Sequence, residues 1–176
     1  VLMQCNTNYT ASLENFKYIN LNVLKDYSRR YPNTILGLSD HTPGHATVLG
    51  AVTLGARVIE KHFTNDITRC GPDHKFSMDF DAWQNMVDRT RELENSLGLE
   101  IKKVEDNEKE TVVLQRRAIR VKKSLTVGDI ICEDDLEFLR PCPKDALSPY
   151  DLEKIINKEI VSSIESGDYI KWKNLK

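Results

Sequence analysis

Two histidines stand where short apolar runs end. His41 follows Ile35-Leu36-Gly37-Leu38-Ser39-Asp40, and His62 follows Arg57-Val58-Ile59-Glu60-Lys61, a spacing of 62 − 41 = 21 residues. If the two runs are adjacent parallel strands, about 4.8 Å apart, equivalent positions at their ends can reach one ion. Two neutral imidazoles with few carboxylates make an incomplete metal site. The remaining positions are left to water and substrate oxygens, as a Lewis-acid catalyst requires. A single histidine at a strand end is an ordinary hydrogen-bonding residue. The pair, flanked by Asp40, Glu60, Asp73 and His74, points instead to a shared cation. His45, after Pro43-Gly44, reads as structural.

The elements that must hold these side chains follow from the periodicity around them. Val1-Leu2-Met3-Gln4-Cys5 reads as a strand, followed by the polar turn Asn6-Thr7-Asn8-Tyr9-Thr10. Ser12 is the expected N-cap of a helix with apolar positions at Leu13, Phe16, Ile19, Val23, Leu24 and Tyr27, stopped by Pro32. A strand over 35–39, a helix over 45–54 closed by Gly55, and a strand over 57–63 come next. After the loop through Cys70-Gly71-Pro72-Asp73-His74, a helix carries Phe80, Trp83, Val87 and Leu93 on its apolar face and ends at Gly98. Repeated strand–helix pairs predict a parallel sheet with helical crossovers, either an open sheet or the closing part of a (β/α)8 barrel. Both architectures place their chemistry at the C-terminal ends of the strands, where Asn6 to Tyr9, Ser39-Asp40-His41 and Glu60-Lys61-His62 cluster.

A chain that opens directly on an apolar strand lacks that strand's ladder partners, so we expect a fragment whose N-terminal part precedes Val1. From residue 100 to 117 the composition turns strongly charged, as in a solvated linker or helix face. Beyond it come short strands at Ala118–Val121, Leu125–Ile131 with a turn at Gly128-Asp129, and Leu136–Pro141, then a helical patch from Pro149 to Ile156 and a last strand around Tyr169–Trp172. About 60 residues is small for an independent core, so this part is expected to lean on a partner surface. The expected domains are therefore 1–99, a linker over 100–117, and 118–176. A net charge of −2 gives no reason to expect nucleic-acid or membrane-surface binding. No apolar run reaches the roughly 18–20 residues of a membrane span. The scattered Cys5, Cys70, Cys132 and Cys142 read as reduced thiols of a cytoplasmic protein.

Taken together, Gly37-Leu38-Ser39-Asp40-His41-Thr42, then Gly55-Ala56-Arg57-Val58-Ile59-Glu60-Lys61-His62-Phe63-Thr64, then Gly71-Pro72-Asp73-His74 resemble the sialic acid synthase family. That family includes N-acetylneuraminate, legionaminate and pseudaminate synthases and spore-coat polysaccharide relatives. The tail, through Lys123-Ser124-Leu125-Thr126-Val127-Gly128-Asp129, Leu139-Arg140-Pro141 and Leu147-Ser148-Pro149, is similar to its C-terminal SAF domain, which is like type III antifreeze proteins. The resemblance implies an α/β fold: the C-terminal part of a (β/α)8 TIM barrel followed by a small β-rich SAF domain. It implies condensation of phosphoenolpyruvate with N-acetylmannosamine or a related N-acyl amino sugar, giving a nine-carbon 2-keto-3-deoxy acid and phosphate. A divalent metal, Mn2+ or Mg2+, would polarise the sugar's open-chain aldehyde for attack by the enol carbon. Water would then add, and phosphate would leave by C–O cleavage.

By the same resemblance His41 and His62 match the metal ligands. Ser39 and Thr7 match phosphoenolpyruvate contacts, and Tyr9 lies on the substrate side. Glu60 and Asp73 match carboxylates that face the amino sugar or order water near the metal. Arg140 matches the arginine that a domain-swapped SAF domain inserts into the partner subunit's barrel in a homodimer, contacting the acyl group. Lys61 belongs to the motif as a salt-bridging residue at the strand end or a catalytic one. The chain departs from the pattern in the segment after Cys5, which reads Asn6-Thr7-Asn8-Tyr9-Thr10, with Thr10 where many members carry a proline after the tyrosine. The family's phosphate-binding lysines and other catalytic glutamates lie on earlier strands, so the chain alone is expected to be inactive. The alternatives are a carbohydrate-binding module without catalysis, and another metal-dependent aldolase that uses pyruvate.

Overall fold

The computed structural model describes residues 1–176 as two compact units, Val1–Glu100 and Ile101–Lys176. In the first, strands β1 (Leu2–Cys5), β2 (Leu36–Asp40) and β3 (Val58–Lys61) form one parallel sheet in the order β1-β2-β3. The register pairs Cys5 with Ser39, Ser39 with Glu60 and Asp40 with Lys61. The middle strand is buried at Leu36, Gly37 and Leu38, which is why it reads as an unbroken apolar run. Gly37 is required by crowding. A Cβ there would sit 2.6 Å from the Val58 carbonyl oxygen and 2.9 Å from Met3 Cγ.

Helices α1 (Val23–Arg30), α2 (Ala46–Thr53) and α3 (Phe80–Leu97) complete the unit. The helix expected after Ser12 is divided. Ser12 does cap a helical start, its hydroxyl accepting from the Glu14 N–H at 3.3 Å, but residues Leu13–Tyr18 form a 3-10 helix. Asn20, in the left-handed region at φ 50°, separates it from α1. Gly55 at φ 99° ends α2, and Gly98 at φ 55° ends α3. One core gathers Ile19, Leu24, Leu36, Leu38, Ala51 and Ala56. A second gathers Val48, Val52, Met78 and Met86, with Ala82, Trp83 and Leu93 against it. Phe80, expected on the buried face of α3, is 69% exposed. It opens the helix and lies at the surface beside Phe63 and Trp83, while Met86 takes the inward position.

In the second unit the charged run contains a 3-10 turn (Asp106–Glu108) and helix α4 (Lys109–Gln115). Strands β4 (Ala118–Val121) and β5 (Leu136–Leu139) pair antiparallel, and a short helix α5 (Leu152–Ile155) follows the turn at Pro149. The strands expected over 125–131 and 169–172 are not continuous. They contribute single bridges, Leu125 to Ile164, Ile130 to Glu159 and Arg120 to Tyr169, and Trp172–Asn174 is a 3-10 turn. The reason is a repeated tight turn. Ser124-Leu125-Thr126-Val127-Gly128-Asp129 and Ser163-Ile164-Glu165-Ser166-Gly167-Asp168 each bend at a glycine of positive φ. Leu125 and Ile164 exchange both backbone hydrogen bonds at 2.9 Å, and Gly128 and Gly167 donate to Ile160 and Val121 in the same pattern. Two copies of one motif thus interlock around a core of Ile119, Val121, Leu125, Ile131, Leu136, Leu147, Ile155, Ile160, Ile164 and Ile170. No helix in the chain is long and apolar enough to cross a membrane. All four cysteines are free.

Candidate active site

The C-terminal ends of β1, β2 and β3 bring the expected residues of the first unit together. His41 and His62 each lie one residue beyond their strand, and their ring centroids are 5.1 Å apart. The His41 ring is buried, and its Nδ1 lies 2.9 Å from the carbonyl oxygen of Asn6. A carbonyl only accepts, so Nδ1 carries the proton and Nε2 keeps its lone pair. Asp73 Oδ2 is 3.6 Å from His62 Nδ1, just beyond hydrogen-bonding reach. Tyr9 and Phe76 wall the pair. Tyr9 packs against His41 with centroids 4.2 Å apart and planes inclined by 49°, and Phe76 meets the His62 ring edge-on at 5.0 Å.

This donor set fits a divalent cation. Two imidazoles that share one ion at roughly a right angle have ring centres about 5 Å apart, given a metal–nitrogen distance of about 2.1 Å. No third His, Cys, Asp or Glu joins them. An ion held there would keep open positions for oxygen ligands, the requirement for Lewis-acid chemistry.

The remaining candidates fall into two groups. Ser39 Oγ donates to Glu60 Oε1 at 2.7 Å, on the strand face that leads to the histidines. Thr7 and Tyr9 are exposed on the segment after β1, and Asp73 is exposed beside His62. Arg140 belongs to the second unit, exposed and directly after β5, and the Arg120 guanidinium donates to the neighbouring Pro141 carbonyl at 3.2 Å.

Residues 1–102, more than half of the chain, match the model of the NeuB family, and residues 116–176 match the SAF domain. The chain belongs to the NeuB family. It is 35% identical over its whole length to the N,N'-diacetyllegionaminic acid synthase of Legionella pneumophila, covering 48% of that protein. It is 29% identical to the N-acetylneuraminate-9-phosphate synthase of Homo sapiens over 96% of this chain and 46% of that one. The chain thus spans about half the length of the curated relatives it matches. Among solved structures, the N-acetylneuraminic acid synthetase of Leptospira borgpetersenii superposes with a TM-score of 0.53 at 29% identity, over 63% of this chain and 38% of that one. A spore coat polysaccharide biosynthesis protein E from Chromobacterium violaceum shares the fold at 19% identity, with a TM-score of 0.64 over 99% of this chain and 52% of that one.

In this NeuB-family chain one feature of the site eluded the reading of its motifs. Lys61, read as salt-bridging at the strand end or catalytic, does form a salt bridge, with Asp40, and what went unread is that the pair is buried. The Lys61 Nζ donates to Asp40 Oδ2 and to the Thr42 carbonyl, both at 2.6 Å. Asp40 also accepts from the hydroxyls of Thr42 and Thr47 and from the Thr42 N–H. The available signal was period two: along a strand, Asp40 and Lys61 must point away from the face that carries Ser39 and Glu60.

Proposed function

We propose that the protein carrying this chain is a nonulosonic acid synthase, condensing phosphoenolpyruvate with N-acetylmannosamine or a related N-acyl amino sugar and releasing phosphate. The observation that carries this reading is the His41–His62 pair, 5.1 Å between ring centroids, with His41 Nδ1 committed to a backbone carbonyl and Nε2 left to ligate. Membership of the NeuB family, and the names of its relatives, supply the reaction class.

His41 and His62 would hold Mn2+ or Mg2+, which when bound supplies Lewis-acid polarisation of a carbonyl oxygen. The chain's own side chains then have distinct work. Ser39 and Thr7 bind phosphoenolpyruvate. Glu60 and Asp73 orient the amino sugar and hold a water near the reacting carbon, and Tyr9 closes the substrate side against solvent. The three strands act as the C-terminal part of a (β/α)8 barrel. Arg140 completes the sugar site of a partner subunit in a homodimer with exchanged SAF domains. The protein works in the cytoplasm.

The test is phosphate release from phosphoenolpyruvate by the full-length protein, with a panel of N-acyl hexosamines, after chelation and after Mn2+ or Mg2+ is restored. Sugar-dependent and metal-dependent release is expected. Release with no sugar requirement, or turnover with pyruvate in place of phosphoenolpyruvate, would overturn the assignment.

A further inference from the structure

Behind the two histidines, on the side of the sheet turned toward α2, lies an ion pair with almost no solvent contact. The side chains of Lys61 and Asp40 are 1% and 0% exposed, and Lys61 Nζ is 2.6 Å from Asp40 Oδ2. Thr47, from α2, donates its hydroxyl to the same oxygen at 2.6 Å, and Thr42 donates both its N–H and its hydroxyl to Asp40. Each side-chain nitrogen and oxygen of this cluster has at least one hydrogen-bond partner.

Stability is a weak reason for such a pair. Removing two charges from water is costly, and apolar replacements of similar volume are often as stable or more so. A buried pair can do what apolar side chains cannot, which is to fix direction. Lys61 is the covalent neighbour of His62, and its ammonium grips residues 40 and 42, on both sides of His41. The two ligand-bearing strand ends are therefore tied at one atom. A one-residue slip would send each side chain to the opposite face and separate the imidazoles.

We propose that Asp40 and Lys61, braced by Thr47, are positioning residues that set the separation and facing of His41 and His62. Neither need touch substrate. The inference rests on the metal-binding reading of the histidine pair, and its test separates the two. Outer-shell residues that orient metal ligands typically cost 10–100-fold in affinity when changed.

The experiment measures Mn2+ affinity in the full-length protein by electron paramagnetic resonance of the free ion, with thermal unfolding of the metal-free form alongside. The variants are His62→Ala, Thr47→Val, and Asp40→Asn combined with Lys61→Met. The double variant is expected to unfold within a few degrees of wild type without metal, yet to bind manganese about 10–100-fold more weakly. Thr47→Val, which removes one brace, is expected to stay folded with a lowered metal-free Tm and to lose affinity severalfold. A folded double variant that binds manganese like wild type overturns the proposal. If the double variant does not fold, unchanged affinity in Thr47→Val overturns it alone. If His62→Ala binds as tightly as wild type, the metal reading itself fails, and this proposal goes with it.

Discussion

Ser39 Oγ donates to Glu60 Oε1 at 2.7 Å, joining residues that stand 21 positions apart in the chain and directly opposite each other in the register of β2 and β3. Under the proposed reaction the two separate in role, one binding phosphoenolpyruvate and the other serving the sugar. Ser39→Ala should mainly raise KM for phosphoenolpyruvate, lowering kcat/KM by about 10–100-fold, the worth of a hydrogen bond to a charged group. Glu60→Gln keeps the acceptor for Ser39 but removes the charge. It should lower kcat by about 100-fold or more while KM for phosphoenolpyruvate changes little. Steady-state kinetics with each substrate varied in turn distinguishes the two. Identical effects on both parameters would contradict the division of roles.

Metal removal should be visible without turnover. An ion that binds only the folded state adds about 2.7 kcal/mol at 100 times its Kd. Chelation of the full-length protein should therefore lower its Tm, and added Mn2+ should restore it. In His41→Ala the same additions should leave Tm where the chelator put it. A manganese-dependent rise of equal size in the variant would place the ion elsewhere.

How much of this was readable before the structure depends on how local each signal is. The parallel sheet and the two histidines were legible because apolar runs of strand length ended at residues whose chemistry is conspicuous. The division of the first helix was not, since the apolar spacing continues through Asn20 and only its positive φ breaks it. Phe80 misled for a related reason: at the first turn of a helix a periodic position can overhang the surface its later turns cover. The burial of Lys61 was hidden because a lysine beside carboxylates at a strand end resembles a solvated ion pair. Only the packing of α2, which brings Thr47 over Asp40, makes it interior. In the second unit the strands were over-read, because two interlocked glycine turns satisfy their backbone through single bridges instead of long ladders.

Gly37 offers a test of the sheet alone. Its missing side chain lets the Val58 carbonyl and Met3 approach to within 3 Å of where a Cβ would lie. Gly37→Ala cannot be accommodated by a rotamer change, because the nearer atom is backbone. β2 and β3 must move apart, and overpacking of this kind costs about 1–3 kcal/mol. The predicted outcome is a lower urea midpoint with an unchanged m-value. Manganese affinity should fall as well, since the same two strands carry the histidines. An alanine variant as stable as wild type would show that the sheet tolerates a spacing the structure does not contain.

The second unit should be stable over a bounded pH window, and the direction of each limb follows from its charged groups. The Thr126 N–H and then its hydroxyl hold the Asp129 carboxyl below the usual carboxylate range. Lys171 does the same for Asp145, and Lys154 for Asp151. A carboxyl lowered in the folded state stabilises fully above its unfolded value of about 3.9, and that stability is lost as pH falls through the folded value. The lysines have the opposite sign. Asp135 raises Lys123 and Asp145 raises Lys171, so their contribution is complete below about 10.4 and lost as pH rises through the folded values. Urea unfolding followed by Trp172 fluorescence in a Trp83→Phe background should show a plateau at neutral pH and a decline below about pH 4. Asp129→Asn should lower the plateau and flatten the acid limb, because the group that loses its hydrogen bonds on protonation is gone. Lys171→Met should weaken both limbs at once, since it removes the partner of Asp145 along with its own titration. An acid limb just as steep in both variants would mean that other carboxyls govern acid unfolding of this unit.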